Sequence, residues 1–248
     1  MAPGPWHVAT LLDKRPETSN AATLTFDCAS WPGHRAGQHV DVRLTGEDGY
    51  QAQRSYSIAS APQDDRLELT VERIDDGEVS PYLVEDMQPG DALELRGPIG
   101  LWFTWDAAAD GGPLLLVAGG SGVVPLRAML RHRAAVPRGA AGAAGARVTA
   151  RLLLSARSAA DVIYAGELRA DDDLRSFTTY TRATPPGWTG YARRVDRAML
   201  EEVAFDPCEC PRIFVCGPTA FVETASRALV ELGHDPAVVK TERFGPTG

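Results

Sequence analysis

The chain has 248 residues, of which 44% are hydrophobic, and a formal net charge of -8 at pH 7. This length accommodates one large or two ordinary domains, and the apolar content is enough for sizeable cores. The acidic balance argues against nucleic-acid binding, in which a basic surface supplies most of the affinity.

The longest apolar runs, such as LLLVA at 114–118, fall far short of the ~20 residues that cross a bilayer. The N-terminal MAPGPWHVAT shows no secretion-signal pattern. We therefore expect a globular cytoplasmic protein that binds neither membranes nor nucleic acid.

The four cysteines predict neither disulfides nor a metal site. Two of them lie in the CEC triplet at 208–210, and the other spacings are far larger. Secreted disulfide frameworks, zinc sites and iron–sulfur sites require different spacings.

Short β-rich segments separated by turns fill the chain up to about residue 110. The segments are HVDVRL (39–44), QRSYSIAS (53–60), LELTVERI (67–74) and DALELRG (91–97). Such spacing is typical of an antiparallel barrel or sandwich.

The segment QRSYSIAS combines a cation, an aromatic ring and several hydroxyl groups. Because side chains alternate along a strand, Arg54 and Tyr56 are predicted to lie on one face, with Ser55 and Ser57 on the other. A guanidinium suits a phosphate and a flat ring suits stacking.

The segment VSPYLVEDM (79–87) reads as the start of a helix. Ser80 fits an N-cap and Pro81 the first helical position. Such a start can bind an anion, and together with Arg54 it could hold a pyrophosphate. The alternative is an ordinary capped helix.

After residue 112 apolar strands alternate with helices, which predicts a parallel sheet covered on both faces. The predicted pairs are PLLLVAG with VVPLRAMLRHR, VTARLLLS with DVIYAGELRA, SFTTYTR with VDRAMLEEVA, and RIFVCG with TAFVETASRALVELG. The low-complexity segment RGAAGAAGA (138–146) reads as a loop.

Two strand ends in this second half are candidate ligand sites. The first strand runs into Gly119, Gly120, Ser121 and Gly122, where the backbone can approach a phosphate, although a tight turn explains the glycines equally well. Cys216 lies at the carboxyl end of a later strand, where open α/β sheets bind ligands. The alternative for Cys216 is an inert buried thiol.

The end of the second predicted strand suits a phosphate monoester. NAD-selective sheets commonly carry an acidic residue there, whereas this chain has Ser155 and Arg157 and no carboxylate before Asp161. Arg182, and Arg193 or Arg194, could add positive charge.

Taken together, five ordered motifs resemble the ferredoxin–NADP reductase superfamily over nearly the whole chain. The motifs are Arg54, Tyr56 and Ser57; Gly77, Val79 and Ser80; the turn Gly119 to Gly122 with Pro125; Cys216, Gly217 and Pro218; and the terminal Glu242 and Phe244. The resemblance implies a two-domain β + α/β protein. An antiparallel β-barrel would bind FAD over residues 1–108, and a parallel-sheet, Rossmann-like domain would bind NAD(P) over residues 112–248.

The resemblance also implies roles for individual residues. Arg54 and Ser80 would hold the flavin pyrophosphate, Tyr56 would stack on the isoalloxazine, and Ser57 would hydrogen-bond near its N5. Ser57, Cys216 and Glu242 would frame the hydride path as the catalytic residues. The further cofactor-binding residues would be Ser55, Val71, Arg73, Gly77, Val79, Phe244, Gly119, Gly120, Ser121, Gly122, Ser155, Arg157, Gly217 and Pro218. Glu78 lies inside the phosphate segment, so its carboxylate is expected to point away.

The same resemblance implies an FAD-dependent NAD(P)H oxidoreductase, which we expect to be a monomer. A hydride would pass from NADPH, or alternatively NADH, to FAD, and single electrons would pass to a separate ferredoxin-like acceptor or an oxygenase system. Arg127, Arg131, His132 and Arg133 could form a docking patch for an acidic acceptor, but a solvated helix face is the favoured interpretation. Two other functions stay open: a free-flavin or quinone reductase, and a non-catalytic flavin-binding subunit.

Overall fold

The computed structural model describes residues 4–136 and 148–244. Its first half forms one six-stranded antiparallel sheet, in the order β4-β3-β6-β1-β2-β5. The strands are β1 (Trp6–Thr18), β2 (Ala21–Asp27), β3 (His39–Thr45), β4 (Gln51–Ser57), β5 (Leu67–Glu72) and β6 (Ala92–Ile99). The four segments predicted as strands correspond to β3, β4, β5 and β6.

The sheet closes on itself beyond the end of β4. Ile58 forms a β-bridge with Leu69 of the opposite edge strand, and the Ala59 N–H donates to the Glu68 carbonyl at 2.8 Å. The interior holds a cluster of fully buried apolar side chains that includes Phe26. The first half is therefore an antiparallel barrel, as predicted.

The second half forms a five-stranded parallel sheet, in the order β11-β10-β7-β8-β9. Its strands are β7 (Leu114–Gly119), β8 (Ala150–Ala156), β9 (Leu174–Tyr180), β10 (Arg212–Pro218) and β11 (Val239–Phe244). Its helices are α1 (Val123–Ala135), α2 (Ala165–Ala170), α3 (Arg197–Val203) and α4 (Thr219–Glu231). Each predicted strand and helix is present, and α2 is shorter than predicted.

Both faces of this sheet are covered, which follows from the continuous apolar sequence of its strands. Along β7, Leu114 and Leu116 pack in a cluster with α1 and with the barrel-side residues Phe103 and Trp105. The intervening Leu115 packs with α3 and α4 on the opposite face. The α1 face of the parallel sheet therefore contacts the barrel.

Polar contacts also join the two halves. Arg131 of α1 donates to the Ala59 carbonyl at 2.9 Å and pairs with Glu68 of β5. The Tyr164 hydroxyl bonds Thr70 of the same strand. These contacts fix α1 against the barrel.

Two further findings concern the chain as a whole. The loop predicted at RGAAGAAGA lies outside the described residues, as does the tail after Phe244. Within the described residues, no helix is both long enough and apolar enough to span a membrane.

Candidate active site

Cys216 and Glu242 lie side by side at the carboxyl edge of the parallel sheet. They are register partners on β10 and β11. Cys216 is fully buried in the cluster on the α1 face, so both side chains face the barrel. Burial raises the pKa of the Cys216 thiol well above its ordinary value, so the thiol is neutral at physiological pH. A thiol in that state acts through shape and weak hydrogen bonding rather than as a nucleophile.

Glu242 is a mostly buried carboxyl group without a full set of partners. Burial raises its pKa from 4.5 to about 7. Its Oε2 atom is buried and accepts no hydrogen bond from the described residues. Its Oε1 atom lies 3.7 Å from Nδ1 of His39, at the start of β3 in the barrel. The carboxyl group therefore lies at the junction of the two domains.

Ser57 lies on the barrel side of the same junction. It is the register partner of His39 in the β3–β4 pair, and paired residues of antiparallel strands share a face. Ser55 is the partner of Asp41 on that face and donates to its carboxylate at 2.6 Å. Ser55 and Ser57 thus share a face, as the alternation predicted.

Arg54 and Tyr56 point to the opposite face of β4. Their partners across the strand pair are the fully buried Val42 and Val40. Tyr56 is half-buried against the barrel core, and burial raises the pKa of its hydroxyl. The Arg54 guanidinium is exposed. The predicted combination of a cation and an aromatic ring on one face is therefore present.

Glu78 does not point away from Arg54, so that expectation is wrong. Its carboxylate accepts from the guanidinium at 3.2 Å and from the Tyr50 hydroxyl at 2.6 Å. Opposite charges on two exposed side chains account for the contact. A phosphate at Arg54 has to displace this carboxylate or share the guanidinium with it.

The predicted phosphate segment forms a tight turn before a short helix. Ser80 is buried, and its hydroxyl accepts from the Ile74 N–H at 3.1 Å instead of capping the helix, so its assignment as an N-cap is wrong. The Ser80 hydroxyl is drawn inward because that N–H needs a partner. A Cβ on Gly77 would lie 2.9 Å from the Ser80 hydroxyl oxygen, and Val79 is fully buried. The segment is a rigid turn whose hydroxyl group is already bonded.

Val71 and Arg73 follow at the end of β5 and have structural contacts. Val71 is fully buried in the barrel core. Arg73 pairs with Asp75 at 2.7 Å and with Glu85 at 3.0 Å. A nucleotide phosphate at Arg73 competes with both carboxylates.

The glycine turn packs directly on the strand that carries Cys216. Gly119 ends β7, and Gly120, with φ of +56°, begins a single helical turn. At Gly122 a Cβ would clash with the Cys216 carbonyl oxygen. Gly217, with φ of +157°, lies against the Gly119 backbone. Only glycine permits this approach, so the turn fixes the backbone beside the thiol.

Three further predicted residues lie at the same carboxyl edge of the sheet as the glycine turn. Ser121 is half-buried within the turn, and Pro218 is exposed beyond Gly217. Phe244 is the register partner of Pro218 and packs partly against the cluster that contains Cys216.

Exposed arginines lie at the carboxyl ends of β8 and β9. The Arg182 N–H donates to the Arg157 carbonyl at 2.9 Å, so the two residues are neighbours, and both side chains are exposed. Ser155, half-buried, precedes them on β8. Arg193 is held by Asp196 at 2.7 Å, whereas no described carboxylate lies within ion-pair distance of Arg157 or Arg182.

The basic residues of α1 form neither the solvated helix face that the sequence favoured nor a docking patch, so both interpretations are wrong. Arg127, His132 and Arg133 are all buried. Arg133 donates to two backbone carbonyls, at 2.6 and 2.8 Å, and Arg127 pairs with Glu167. The charged groups of α1 thus bind partners inside the protein rather than solvent. Neither a docking patch nor a solvated helix face describes them.

Known proteins resemble this chain over nearly its whole length. A model of the oxidoreductase FAD-binding domain matches residues 9–104, and a model of the oxidoreductase NAD-binding domain matches residues 116–227. Ferredoxin–NADP reductase B of Sorangium cellulosum is 36% identical over 249 residues, covering 95% of this chain and 96% of that relative. The chain belongs to the ferredoxin–NADP reductase superfamily. Like the domains that it matches, this reductase is an oxidoreductase that uses FAD and a nicotinamide nucleotide.

Other relatives are longer or more distant. The glycine betaine monooxygenase reductase subunit of Pseudomonas aeruginosa is 32% identical over 219 residues, which cover 86% of this chain and 57% of the relative. The chain thus spans little more than half the length of that protein. The FAD/NAD-binding domain of nitric oxide dioxygenase from Vibrio cholerae has a TM-score of 0.81, covering 99% of this chain and 100% of that domain at 22% identity. It shows the same fold.

The donor set of this reductase fits the two cofactors. An exposed guanidinium and a half-buried ring share one face of β4, at Arg54 and Tyr56. At Gly120 of the β7 turn a Cβ would meet no atom within 4 Å, so a ligand can approach the backbone there. The buried Oε2 atom of Glu242 faces the junction without a described partner. A flavin and a nicotinamide ring meeting at this junction would use each of these features.

Sequence reasoning missed His39 as a member of this site. His39 follows Gln38 in the segment GQHV and is the first residue of β3, a strand that the sequence predicted. Had the β3–β4 register been known from the sequence, strand alternation would have placed His39 beside Ser57 on the same face. Its contact with Glu242 depends on packing between domains and has no sequence signal.

Proposed function

We propose that this reductase takes a hydride from NADPH into FAD and then passes electrons singly to a separate ferredoxin-like protein. Residues 1–108 would form the FAD domain and residues 112–248 the nucleotide domain. The observation that carries the proposal is the 3.7 Å contact between His39 and Glu242. It brings the strand pair that bears Ser57 against the sheet edge that bears Cys216.

The protein's contribution to this reaction is binding, orientation and exclusion of water. Bound FAD supplies the hydride acceptor and the capacity to release electrons one at a time. Arg54 would bind the pyrophosphate and Tyr56 would pack on the ring system. Ser57 would orient the reacting edge of the flavin, while Cys216 and Glu242 would hold the nicotinamide from the opposite domain. The neutral, buried thiol lets the nicotinamide ring lie against Cys216 without burying a charge.

Preference for NADPH rests on the ends of β8 and β9. Arg157 and Arg182 are adjacent, exposed and without a described carboxylate partner, which suits a phosphate monoester. The nearest carboxylate downstream, Asp161, accepts a hydrogen bond from the Ser158 hydroxyl at 2.6 Å. Asp161 is thus engaged locally and is not placed at the strand end, where NAD-selective sheets hold the ribose hydroxyls.

A protein acceptor is supported by what the relatives are called. One is a ferredoxin–NADP reductase and another is the reductase subunit of a monooxygenase. Anaerobic electron transfer to a [2Fe–2S] ferredoxin, compared with free FMN and a quinone, tests this part. A higher kcat/KM for free flavin or quinone than for any ferredoxin would favour the reductase of small molecules instead.

Replacement of Cys216 by alanine is expected to slow hydride transfer by about one order of magnitude or more, because a nicotinamide ring that packs against the smaller methyl group is misplaced. FAD content should be unchanged, since the proposed flavin contacts lie in the barrel. Stopped-flow bleaching of the flavin by NADPH under anaerobic conditions measures the step.

Cys28→Ala is the matched control, because Cys28 is a partly buried thiol packed on the barrel core. It should leave the bleaching rate unchanged. An equal rate in Cys216→Ala and wild type would remove Cys216 from the site. A wild type that carries FAD but is not bleached by either nucleotide would refute the proposed function.

A further inference from the structure

His39 lies between the proposed catalytic residues of the two domains. It is the register partner of Ser57 across β3 and β4 and shares a face with it. Its Nδ1 atom is 3.7 Å from Oε1 of Glu242 on β11. A Cβ on Gly100 would make ordinary van der Waals contact with the same nitrogen, at 3.6 Å, so Gly100 lies beside the ring. His39 is thus the barrel side chain that the structure places against the Glu242 carboxyl group.

Burial acts on the two groups in opposite directions. It lowers the pKa of His39 below its ordinary value of 6.5, and it raises that of Glu242 to about 7. Each shift disfavours the charged form. Burial thus favours the uncharged pair, a protonated Glu242 carboxyl group facing a neutral imidazole. A carboxylate facing an imidazolium carries the same single proton, and both forms have zero net charge.

The charged neighbours on the barrel side are bonded elsewhere. Burial lowers the pKa of His39 and the Asp41 carboxylate partly offsets that lowering, but this carboxylate accepts from Ser55 at 2.6 Å and from Arg96 at 2.7 Å. Arg96 pairs with Asp41 and also lies over the Trp6 ring. Asp41 and Arg96 therefore satisfy each other and leave His39 to interact with Glu242.

The neighbours on the nucleotide side do not supply a competing charge. Cys216 is neutral because burial raises its pKa. Lys240, two residues before Glu242 on β11, donates to the Thr104 carbonyl at 3.0 Å. The second oxygen of Glu242 has no described partner. Among the described residues, His39 is the basic side chain within ion-pair distance of the Glu242 carboxyl group.

We propose that His39 is a positioning residue for Glu242. The two side chains share one proton across the domain junction, which fixes the carboxyl group beside Cys216 and makes its charge depend on pH. The consequence for hydride transfer rests on the function proposed above, whereas the proton sharing does not. Loss of the shared proton leaves a carboxylate at the junction, and gain of a second proton leaves an imidazolium there.

Proton NMR of the chain as purified tests the coupling directly. The sequence contains only five histidines, His7, His34, His39, His132 and His234, so their ring signals can be assigned by single substitutions. We expect His39 to titrate in two steps in the wild type, because coupled groups share macroscopic pKa values. In Glu242→Gln the curve should become a single step, shifted down by about one pH unit or more, since a nearby carboxylate favours the imidazolium.

Glu223→Gln is the matched control for that titration. Glu223 is an exposed carboxylate on α4 that pairs with Arg243 on the same strand as Glu242. Its replacement should leave the His39 curve unchanged. A His39 curve with one step in the wild type, or one that Glu242→Gln does not move, would overturn the proposal. Because no turnover is needed, this outcome is independent of whether NADPH bleaches the flavin.

His39→Gln provides the kinetic arm. Glutamine keeps a hydrogen-bonding group but cannot take up the shared proton, so the limb of the bleaching-rate profile that reports loss of that proton should move to lower pH. FAD content and the KM for NADPH should stay close to wild type. A merely structural role would instead lower the rate by the same factor at every pH, and that result would count against the shared proton.

Discussion

Replacing Arg157 with alanine is expected to lower the preference of the reductase for NADPH over NADH by about one to two orders of magnitude. A single charge-assisted hydrogen bond to the 2'-phosphate contributes about 1.5–3 kcal/mol, which corresponds to that ratio. The loss should fall on KM for NADPH rather than on the bleaching rate at saturation. The 2'-phosphate is remote from the reacting carbon, so its contact is the same before and during hydride transfer.

The measurement is kcat/KM for both nucleotides in wild type, in Arg157→Ala and in the double variant that also lacks Arg182. Because Arg182 is adjacent, the double variant should lose more NADPH preference than the single one. Arg227→Ala is the control, since Arg227 is an exposed arginine on α4, which packs over β10 and β11 rather than β8. A wild type that prefers NADH, or an unchanged ratio in both variants, would show that the strand end does not bind the phosphate.

The strands that could be predicted from the sequence are those whose burial gives a simple pattern of apolar residues. The strands β7, β8 and β10 are continuous apolar runs between covering helices, and all of them were found. β1 was missed because it is polar in its second half and has register shifts between Leu11 and Asp13 and between Pro16 and Thr18. Such bulges break the alternation on which strand prediction depends. The edge strand β11 was missed because charged residues fill VKTERF.

The site was predictable only in part, because its members come from both domains. The faces of β4 followed from alternation, so Arg54 and Tyr56 were placed together. The approach of Glu242 to His39 depends on the packing of one domain on the other, which no local pattern encodes. The interpretations of the basic residues on α1 were wrong for a related reason, because α1 is buried on most sides. Its arginines are satisfied by Glu167 and by backbone carbonyls that are distant in sequence.

FAD binding should weaken by about 1.5–3 kcal/mol when Arg54 is replaced by alanine, if it makes one charge-assisted bond to the pyrophosphate. That is a loss of about ten- to one-hundred-fold in affinity. Titration of the apoprotein with FAD, followed by quenching of its tryptophan fluorescence, gives the dissociation constants. Arg66→Ala is the control, because Arg66 is an equally exposed barrel arginine that pairs with Asp27. It should bind FAD like the wild type.

Glu78 separates two explanations of the Arg54 result. Its carboxylate lies 3.2 Å from the guanidinium, so it competes with a phosphate for Arg54 and repels the phosphate charge. Glu78→Gln should therefore tighten FAD binding by about 0.5–1 kcal/mol, the scale of an exposed ion pair, and the gain should shrink at high salt. In the Arg54→Ala background the competition disappears and only the repulsion remains, so the same substitution should gain less. Weaker FAD binding by Glu78→Gln would mean that the carboxylate holds Arg54 in its binding orientation. Equal FAD affinity in Arg54→Ala and wild type would place the pyrophosphate elsewhere on the barrel.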